Sequence, residues 1–255
     1  MLLERLDLRR RARAAGLHLL ISAAVALGAA ALVFGLWYPG IYRVASGGRD
    51  LFLLVTSVDV VLGPLLTFAV FNLAKGWKHL RWDLAVIGAV QTAALVYGLH
   101  TVYIVRPVAM VFEVDRFRVI AAGDVYLPEL PKARPEYRSL PLTGPWLLGT
   151  RVPAPGDERN DAIFMGVNGI DRANRPPFWQ PYVESVPVAL AKSRPLSVLL
   201  AYYPQRAAEF RAAIHEMKVN DATARFLPLA ARGDWVVVLD ANGALAGYLK
   251  ADGFF

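Results

Sequence analysis

Residues 51–73, LFLLVTSVDVVLGPLLTFAVFNL, decide the architecture of this chain. The stretch is long and apolar enough to cross a bilayer as a helix, yet Asp59 and Pro64 lie inside it. A carboxylate in hydrocarbon costs about 2.5–3.5 kcal/mol on insertion scales, so it usually faces a partner, a bundle interior or water. Pro64 has no amide hydrogen, and in a regular α-helix this leaves the carbonyl of Val60 without its donor. An acid, a freed carbonyl and an expected kink therefore fall close together.

Two interpretations of this polar stretch remain open. In the first, a bent helix satisfies its polar groups within its own bundle. In the second, the acid and the kink form a polar notch that receives part of another protein. On physical grounds alone the first interpretation is the simpler one.

Two further apolar stretches flank the central one. Residues 17–38 carry no formal charge and end in Trp37 and Tyr38, an aromatic pair typical of a membrane interface. The apolar region of a signal peptide is shorter, about 7–15 residues, so we expect an uncleaved anchor here, although Ala29–Ala31 resemble a cleavage site. Residues 84–103 form the third stretch, and about 20 helical residues span about 30 Å, the thickness of the hydrocarbon layer.

The charge distribution predicts the membrane topology. The formal charge is +7, and residues 106–255, with 18 basic and 16 acidic residues, contribute only +2 of it. The remainder lies in the basic N-terminal segment and the loops, chiefly the loop 74–83, which includes Lys75. Basic segments stay in the cytoplasm, so we expect a cytoplasmic N-terminus and a periplasmic C-terminal portion in a bacterial inner membrane. This distribution favours anionic lipid at the N-terminal segment and argues against a nucleic-acid partner.

The predicted fold is a membrane protein with three transmembrane α-helices followed by a small α+β periplasmic domain. A hydrophobic fraction of 56% and a mean hydropathy of +0.38 agree with this class. Residues 1–105 form the bundle with its basic cytoplasmic N-terminal segment, and residues 106–255 form the outer domain. Residues 128–159 are rich in proline and should be extended and loop-like. The remaining predicted elements are a strand at 108–122, helices at 157–170 and 205–218, and strands at 234–240 and 243–250 joined by an Asn-Gly turn.

Catalytic and metal-binding motifs do not occur in the sequence. It holds no HExxH, no Walker lysine loop and no GxSxG, and it has no cysteine. The four histidines are scattered without metal-ligand spacing. We therefore expect no catalytic residues, no metal and no cofactor.

Depth along the helices predicts which polar side chains form hydrogen bonds with one another if the bundle pairs its polar groups internally. At 1.5 Å per residue, Asp59 lies about 21 Å from the cytoplasmic end of its helix and Tyr97 about 20 Å from that of the third. Gln91 lies lower, at about 10 Å, near the level of Thr67. The expected pairs are Asp59 with Tyr97 and Thr67 with Gln91.

Arg106-Pro107 follows the third apolar stretch and has two interpretations. Either the arginine extends to lipid headgroups while the proline ends the helix, or the pair is a rigid coupling point between bundle and outer domain. Asp115 and Arg116 belong to the same coupling hypothesis, and their alternative is a local ion pair worth about 0–1 kcal/mol. Trp179 lies in a proline-flanked aromatic run, which suits either a peptide-binding surface or core packing.

Three segments together resemble a known family. They are DVVLGPLLTF (59–68), RWDLAVIGAVQTAALVYGLHTVYIVRPV (81–108) and VFEVDRFRVI (111–120). In their order and spacing they resemble the TfpX/TfpZ-type accessory proteins of type IV pili, and the resemblance extends over residues 17–122. The resemblance implies an inner-membrane, pilin-specific assembly factor or chaperone without catalytic residues. Its implied partners are the major type IV pilin and other inner-membrane pilus assembly proteins.

The resemblance also gives the polar notch a use. A pilin has one apolar helix with a carboxylate near its start, and such a helix could dock through polar hydrogen bonds and close packing at Gly63, Gly88 and Gly98. The outer domain could then hold the soluble part of the pilin. The alternatives are a membrane-anchored enzyme that modifies pilin or an envelope glycan through outer-domain carboxylates, and a sensor. The residues predicted to contact a partner are Asp59, Gly63, Pro64, Thr67, Gln91, Tyr97 and Trp179.

Overall fold

The computed structural model describes residues 2–72 and 76–255, and their side chains from Asp7 onward. The predicted end of the second span at Leu73, and Lys75 in the following loop, lie outside the described residues. The chain divides into two compact units. The first comprises the chain up to Arg43 together with Gly47–Ile104, and the second comprises Val44–Ser46 together with Val105–Phe255.

Three helices long and apolar enough to cross a membrane make up the first unit. They cover Asp7–Trp37, Gly48–Val70 and Trp77–Ile104, which confirms the three predicted spans. The first and third helices extend beyond their predicted bounds, because their polar ends continue the same helices. In chain order the helices are α1 (Leu2–Leu32), α2 (Tyr42–Ala45), α3 (Gly48–Ser57), α4 (Gly63–Val70) and α5 (Trp77–Ile104).

A π-helical turn, Val58–Leu62, joins α3 to α4 within the second span. In a π-helix each amide bonds to the carbonyl five residues earlier, so the carbonyl that lacks a donor because of Pro64 is that of Asp59. The prediction of a freed carbonyl at Val60 assumes a regular α-helix, whereas the helix widens ahead of the proline, and this widening adds the carbonyl of Asp59.

The second unit is built on a mixed eight-stranded sheet. Seven strands follow the order β4-β3-β1-β2-β6-β7-β8, and β5 pairs with β6. The pairs β1–β3 and β2–β6 are parallel and the others antiparallel. Every residue of β1 is buried, so this central strand is covered on both faces. The strands are β1 (Pro107–Glu113), β2 (Arg116–Ala121), β3 (Trp146–Thr150), β4 (Trp179–Pro181), β5 (Arg194–Pro195), β6 (Arg225–Ala231), β7 (Gly233–Leu239) and β8 (Leu245–Leu249).

Helices and apolar cores complete this unit. One core contains Trp179 among side chains of β1, β2 and β3, and another places Phe210 and Ile214 of a helix against β6 and β7. The helices are α6 (Asp157–Val167), α7 (Val186–Lys192), α8 (Leu196–Tyr202) and α9 (Ala207–Glu216).

Several predicted elements of this unit are confirmed and one is wrong. The two helices at 157–170 and 205–218 appear as α6 and α9, and the two C-terminal strands pair as β7 and β8 around Gly243, whose φ is +80°. The single strand predicted for 108–122 is instead the hairpin β1–β2. Its turn contains Val114 and Asp115, which are not the residues that signal a tight hairpin.

Candidate functional site

A cavity of about 180 Å³ lies between α1, the second span and α5. Apolar side chains such as Ile21 and Val25 are exposed at its margin, so the cavity is a groove in the surface of the bundle. The polar residues that line it are His18, Ser22, Thr56, Asp59, Gln91 and Thr92. We call this feature the bundle groove.

Asp59 is the residue of the bundle groove with an unmet hydrogen bond. Its Oδ1 atom is buried and has no hydrogen-bond partner among the described residues. Leaving a buried polar atom unpaired costs about 1–3 kcal/mol. A group that entered the groove and paired with this oxygen would recover that free energy.

The backbone of Asp59 is held by Gln91. The Nε2 atom of Gln91 donates to the Asp59 carbonyl over 3.1 Å, which supplies the hydrogen bond that Pro64 cannot make. A Cβ at position 63 would overlap the Gln91 side-chain amide, so Gly63 leaves the space that this contact needs. Gly63, Pro64 and Gln91 therefore act together to position Asp59.

The two predicted polar pairs are wrong. Thr67 is buried and its Oγ1 lies 2.5 Å from Nδ1 of His18, whereas Gln91 bonds to the backbone of Asp59. Tyr97 is 75% exposed and lines a neighbouring apolar surface of α5, and it is not part of the groove lining. The sequence places residues by depth, but it does not predict how each helix is rotated about its axis.

His18 is a groove residue that the sequence analysis missed. The sequence shows only that the histidines lack metal-ligand spacing, whereas the structure places His18 within α1 and in the lining of the groove. The sequence does contain one signal for this position, because an ionisable side chain inside an apolar span indicates a functional site. In the described part of the chain, no group of His, Asp and Glu side chains is arranged to hold a metal ion.

The three glycines proposed for close approach have different environments. Gly63 makes room for Gln91, and a Cβ at Gly98 would overlap the Val55 side chain, so both serve packing within the bundle. Gly88 lines the groove, and a Cβ there would have no heavy atom within 4 Å. Gly88 is thus the one of the three that leaves open space in the groove.

Trp179 does not lie on a surface. It is 0% exposed in the core of the second unit, and its Nε1 donates to the Ala173 carbonyl over 2.9 Å. The prediction that Trp179 contacts a partner is wrong, and its alternative, core packing, is confirmed. The indole fits this core because its single polar atom finds a backbone acceptor.

The residues of the coupling hypothesis lie at the two ends of β1. Arg106 is buried and donates to the Pro141 carbonyl over 3.4 Å, so the interpretation of an arginine extended to lipid headgroups is wrong. Pro107 begins β1. Asp115 and Arg116 form the predicted local ion pair, with 2.7 Å between Oδ1 and Nε. The two pairs are separated by the seven-residue strand, about 20 Å, and the coupling role itself stays a prediction.

Comparison with known proteins gives the family. A sequence model described as "Fimbrial assembly protein FimB" matches residues 6–47. The fimbrial assembly protein, serogroup E1, of Dichelobacter nodosus is 35% identical over 246 residues, covering 95% of this chain and 96% of the relative. The chain belongs to the fimbrial assembly protein family.

Two further members show how the similarity is distributed. The Dichelobacter nodosus fimbrial assembly protein of serogroup I is also 35% identical over 246 residues, with the same coverage of both chains. That of serogroups C1 and C2 is 43% identical over 122 residues, which are 48% of this chain and 93% of the relative. No solved structure matches the chain. This fimbrial assembly protein thus shares both its spans and its C-terminal unit with the first two relatives.

Proposed function

We propose that this protein is an inner-membrane accessory factor of the TfpX/TfpZ type, which binds the major type IV pilin non-covalently during fimbrial assembly. The observation that carries the proposal is the buried Oδ1 of Asp59 in the bundle groove, which has no hydrogen-bond partner within residues 7–72 and 76–255. The family supports a role in fimbrial assembly. The groove supports the proposal because its polar lining and open surface would suit a partner helix.

The groove suits the side chains of a docking helix. Its volume, about 180 Å³, is far smaller than a helix and comparable to one or two side chains. A transmembrane helix lying along the groove would insert a polar side chain beside Asp59 while its apolar residues cover Ile21 and Val25. Interhelical hydrogen bonds and close packing at small residues such as Gly88 are the forces that associate helices in lipid.

The polar groups of the groove favour binding over catalysis. His18 is hydrogen-bonded to Thr67, and the Gln91 amide is hydrogen-bonded to the Asp59 backbone. These contacts hold the groove in one shape, which is what a preorganised binding surface needs. In this proposal the side chain of Asp59 forms the hydrogen bond to the partner.

The proposed orientation places the N-terminal segment in the cytoplasm and the second unit in the periplasm. Exposed Arg9, Arg10 and Arg13 precede the apolar part of α1. Each basic residue near an anionic bilayer surface contributes about 1 kcal/mol of attraction. We propose that these arginines bind anionic lipid and fix α1 at the cytoplasmic face.

Photocrosslinking in intact membranes tests the proposal. A photoreactive amino acid at Val25 would lie at the margin of the groove, and one at Leu27, on the same helix but outside the groove lining, is the matched control. We expect an adduct with the pilin at Val25 that is lost in Asp59→Leu, and no adduct at Leu27. Equal adducts at both positions, or an unchanged Val25 adduct in Asp59→Leu, would contradict the groove as the binding site.

A further inference from the structure

Helix α6 in the second unit has its apolar side outward. Glu158 and Asp161 are bound to arginines of the body of the unit, with 2.6 Å between Glu158 Oε1 and Arg151 Nη2 and 2.6 Å between Asp161 Oδ2 and Arg175 Nη2. No residue of α6 is buried. Two ion pairs therefore tie this helix to the body of the unit.

The outward side of α6 is a stripe of large apolar residues. Ile163, Phe164 and Val167 are 61%, 67% and 84% exposed, and their spacing places them along one side of the helix. An amphipathic helix normally turns such a stripe toward the core. Exposed contiguous apolar surface of this kind marks an interaction site.

A cleft of about 560 Å³ adjoins this stripe. It lies between α6 and the turn that joins β1 to β2, and Ile163 forms part of its wall. Val114, at the opposite rim, is 56% exposed. Both sides of the cleft thus present a large apolar side chain.

The Val114 turn is strained. Val114 has a φ of +59°, and the amide of Asp115 donates to the Glu113 carbonyl over 2.7 Å, which closes a three-residue turn. A β-branched residue with positive φ is an outlier that costs of the order of 1 kcal/mol or more, and such strain clusters at binding and catalytic sites. Glycine would adopt this conformation freely. The exposed isopropyl group therefore points to a role that outweighs the strain.

The polar lining of the cleft carries an excess of positive charge. The carboxylates that line it are Glu113, Asp115 and Asp171. The arginines that line it are Arg116, Arg118, Arg159 and Arg172. Each carboxylate is already bound by an arginine, whereas Arg159 is exposed and makes no ion pair with any described residue. Arg159 is thus available to an incoming carboxylate.

We propose that this cleft, with the apolar stripe of α6, binds a protein segment that carries acidic residues beside apolar ones. The segment belongs to the soluble part of the fimbrial subunit, and this assignment rests on the proposed function. The apolar rims would contact its hydrophobic side chains, and Arg159 would pair with its carboxylate. The cleft is a second contact, separate from the bundle groove.

Crosslinking from the cleft tests this inference in the full-length protein in host membranes. The photoreactive amino acid is placed at Val152, an exposed residue of the cleft lining, so that α6 and the Val114 turn stay intact. The adduct with the fimbrial subunit is measured in Ile163→Ser, Arg159→Glu and Val114→Gly. The matched controls are Val183→Ser and Lys132→Glu, exposed positions of the same unit outside the cleft lining.

We expect a subunit adduct at Val152 that falls about tenfold in Ile163→Ser and about fivefold in Arg159→Glu, with both controls unchanged. Val114→Gly should lower the adduct while the thermal stability of the protein stays equal or rises, because the strain is removed. A subunit adduct at Val25 but none at Val152, or equal loss in the controls, would contradict binding at the cleft without contradicting the proposed function. Absence of subunit adducts at both positions would contradict binding at the cleft and the proposed function.

Discussion

Replacing Asp59 with leucine separates a structural role of this acid from a binding role. The buried Oδ1 has no hydrogen-bond partner among the residues that the structure describes, which costs about 1–3 kcal/mol. Leucine removes that cost and has similar size, so the bundle should unfold no more readily than the wild type. If Asp59 held the bundle together, the same change would destabilise it.

The effect on partner binding should have the opposite sign. A hydrogen bond to a charged carboxylate contributes about 1.5–3 kcal/mol. Its loss corresponds to roughly a 10- to 150-fold weaker affinity, since each 1.4 kcal/mol is a factor of ten. Asp59→Asn keeps a hydrogen-bonding group of the same shape and should lose less affinity than Asp59→Leu.

Two measurements on the same variants decide between these roles. Thermal unfolding in detergent, followed by circular dichroism, reports the stability of the bundle, and the yield of the pilin adduct from Val25 reports binding. We expect an unchanged or higher unfolding temperature together with loss of the adduct in Asp59→Leu. A lower unfolding temperature with an unchanged adduct would refute the reasoning.

Three further predictions test the geometry of both units. Gly63→Ala should displace the Gln91 amide from the Asp59 carbonyl and weaken pilin binding, whereas Gly88→Ala, where space is open, should leave the bundle stability unchanged; unfolding temperatures and adduct yields measure both. The hydrogen bond from Arg151 lowers the pKa of Glu158 to about 2, so the anchoring of α6 is fully present above pH 4.5 and is lost as the pH falls toward 2. Amide hydrogen exchange of α6 across this range should show that loss in the wild type and a constant, weaker protection in Glu158→Gln. Trp179→Ala should cost about 3–5 kcal/mol of unfolding free energy in the second unit, measured by chemical denaturation.

The sequence predicted the membrane architecture because its signals are local. Length and apolar composition mark each span, and an Asn-Gly turn between two apolar runs marks the β7–β8 hairpin. Helices α6 and α9 follow from composition in the same way. These features do not depend on how distant segments pack.

The contacts of the candidate site depend on how each helix is rotated about its axis, and a single sequence does not predict that rotation. Depth along the helix placed Asp59 and Tyr97 at the same level, but the two side chains point in different directions. The π-helical turn before Pro64 also leaves the carbonyl of Asp59 without a backbone donor, which a regular α-helix does not predict. The missed side-chain pairs arise because helix–helix packing, and not local preference, decides which way a side chain points.

The outer unit shows a second limit. The turn at Val114 is not predicted because valine disfavours positive φ, and the sequence leaves Trp179 open between a partner-binding surface and the core in which the fold buries it. In both cases long-range contacts override the local preference. Of the two positions, the strained Val114 is the one that indicates a function.

Disulfide scanning tests the central claim most directly, because the chain contains no cysteine. A single cysteine is introduced as Val25→Cys, or as Leu27→Cys for the control, and paired in turn with single cysteines along the apolar helix of the pilin. We predict disulfides from position 25 to one face of that helix, at a spacing of three or four residues, and none above background from position 27. Disulfides from both positions without helical periodicity, or from neither, would contradict a pilin helix in the bundle groove.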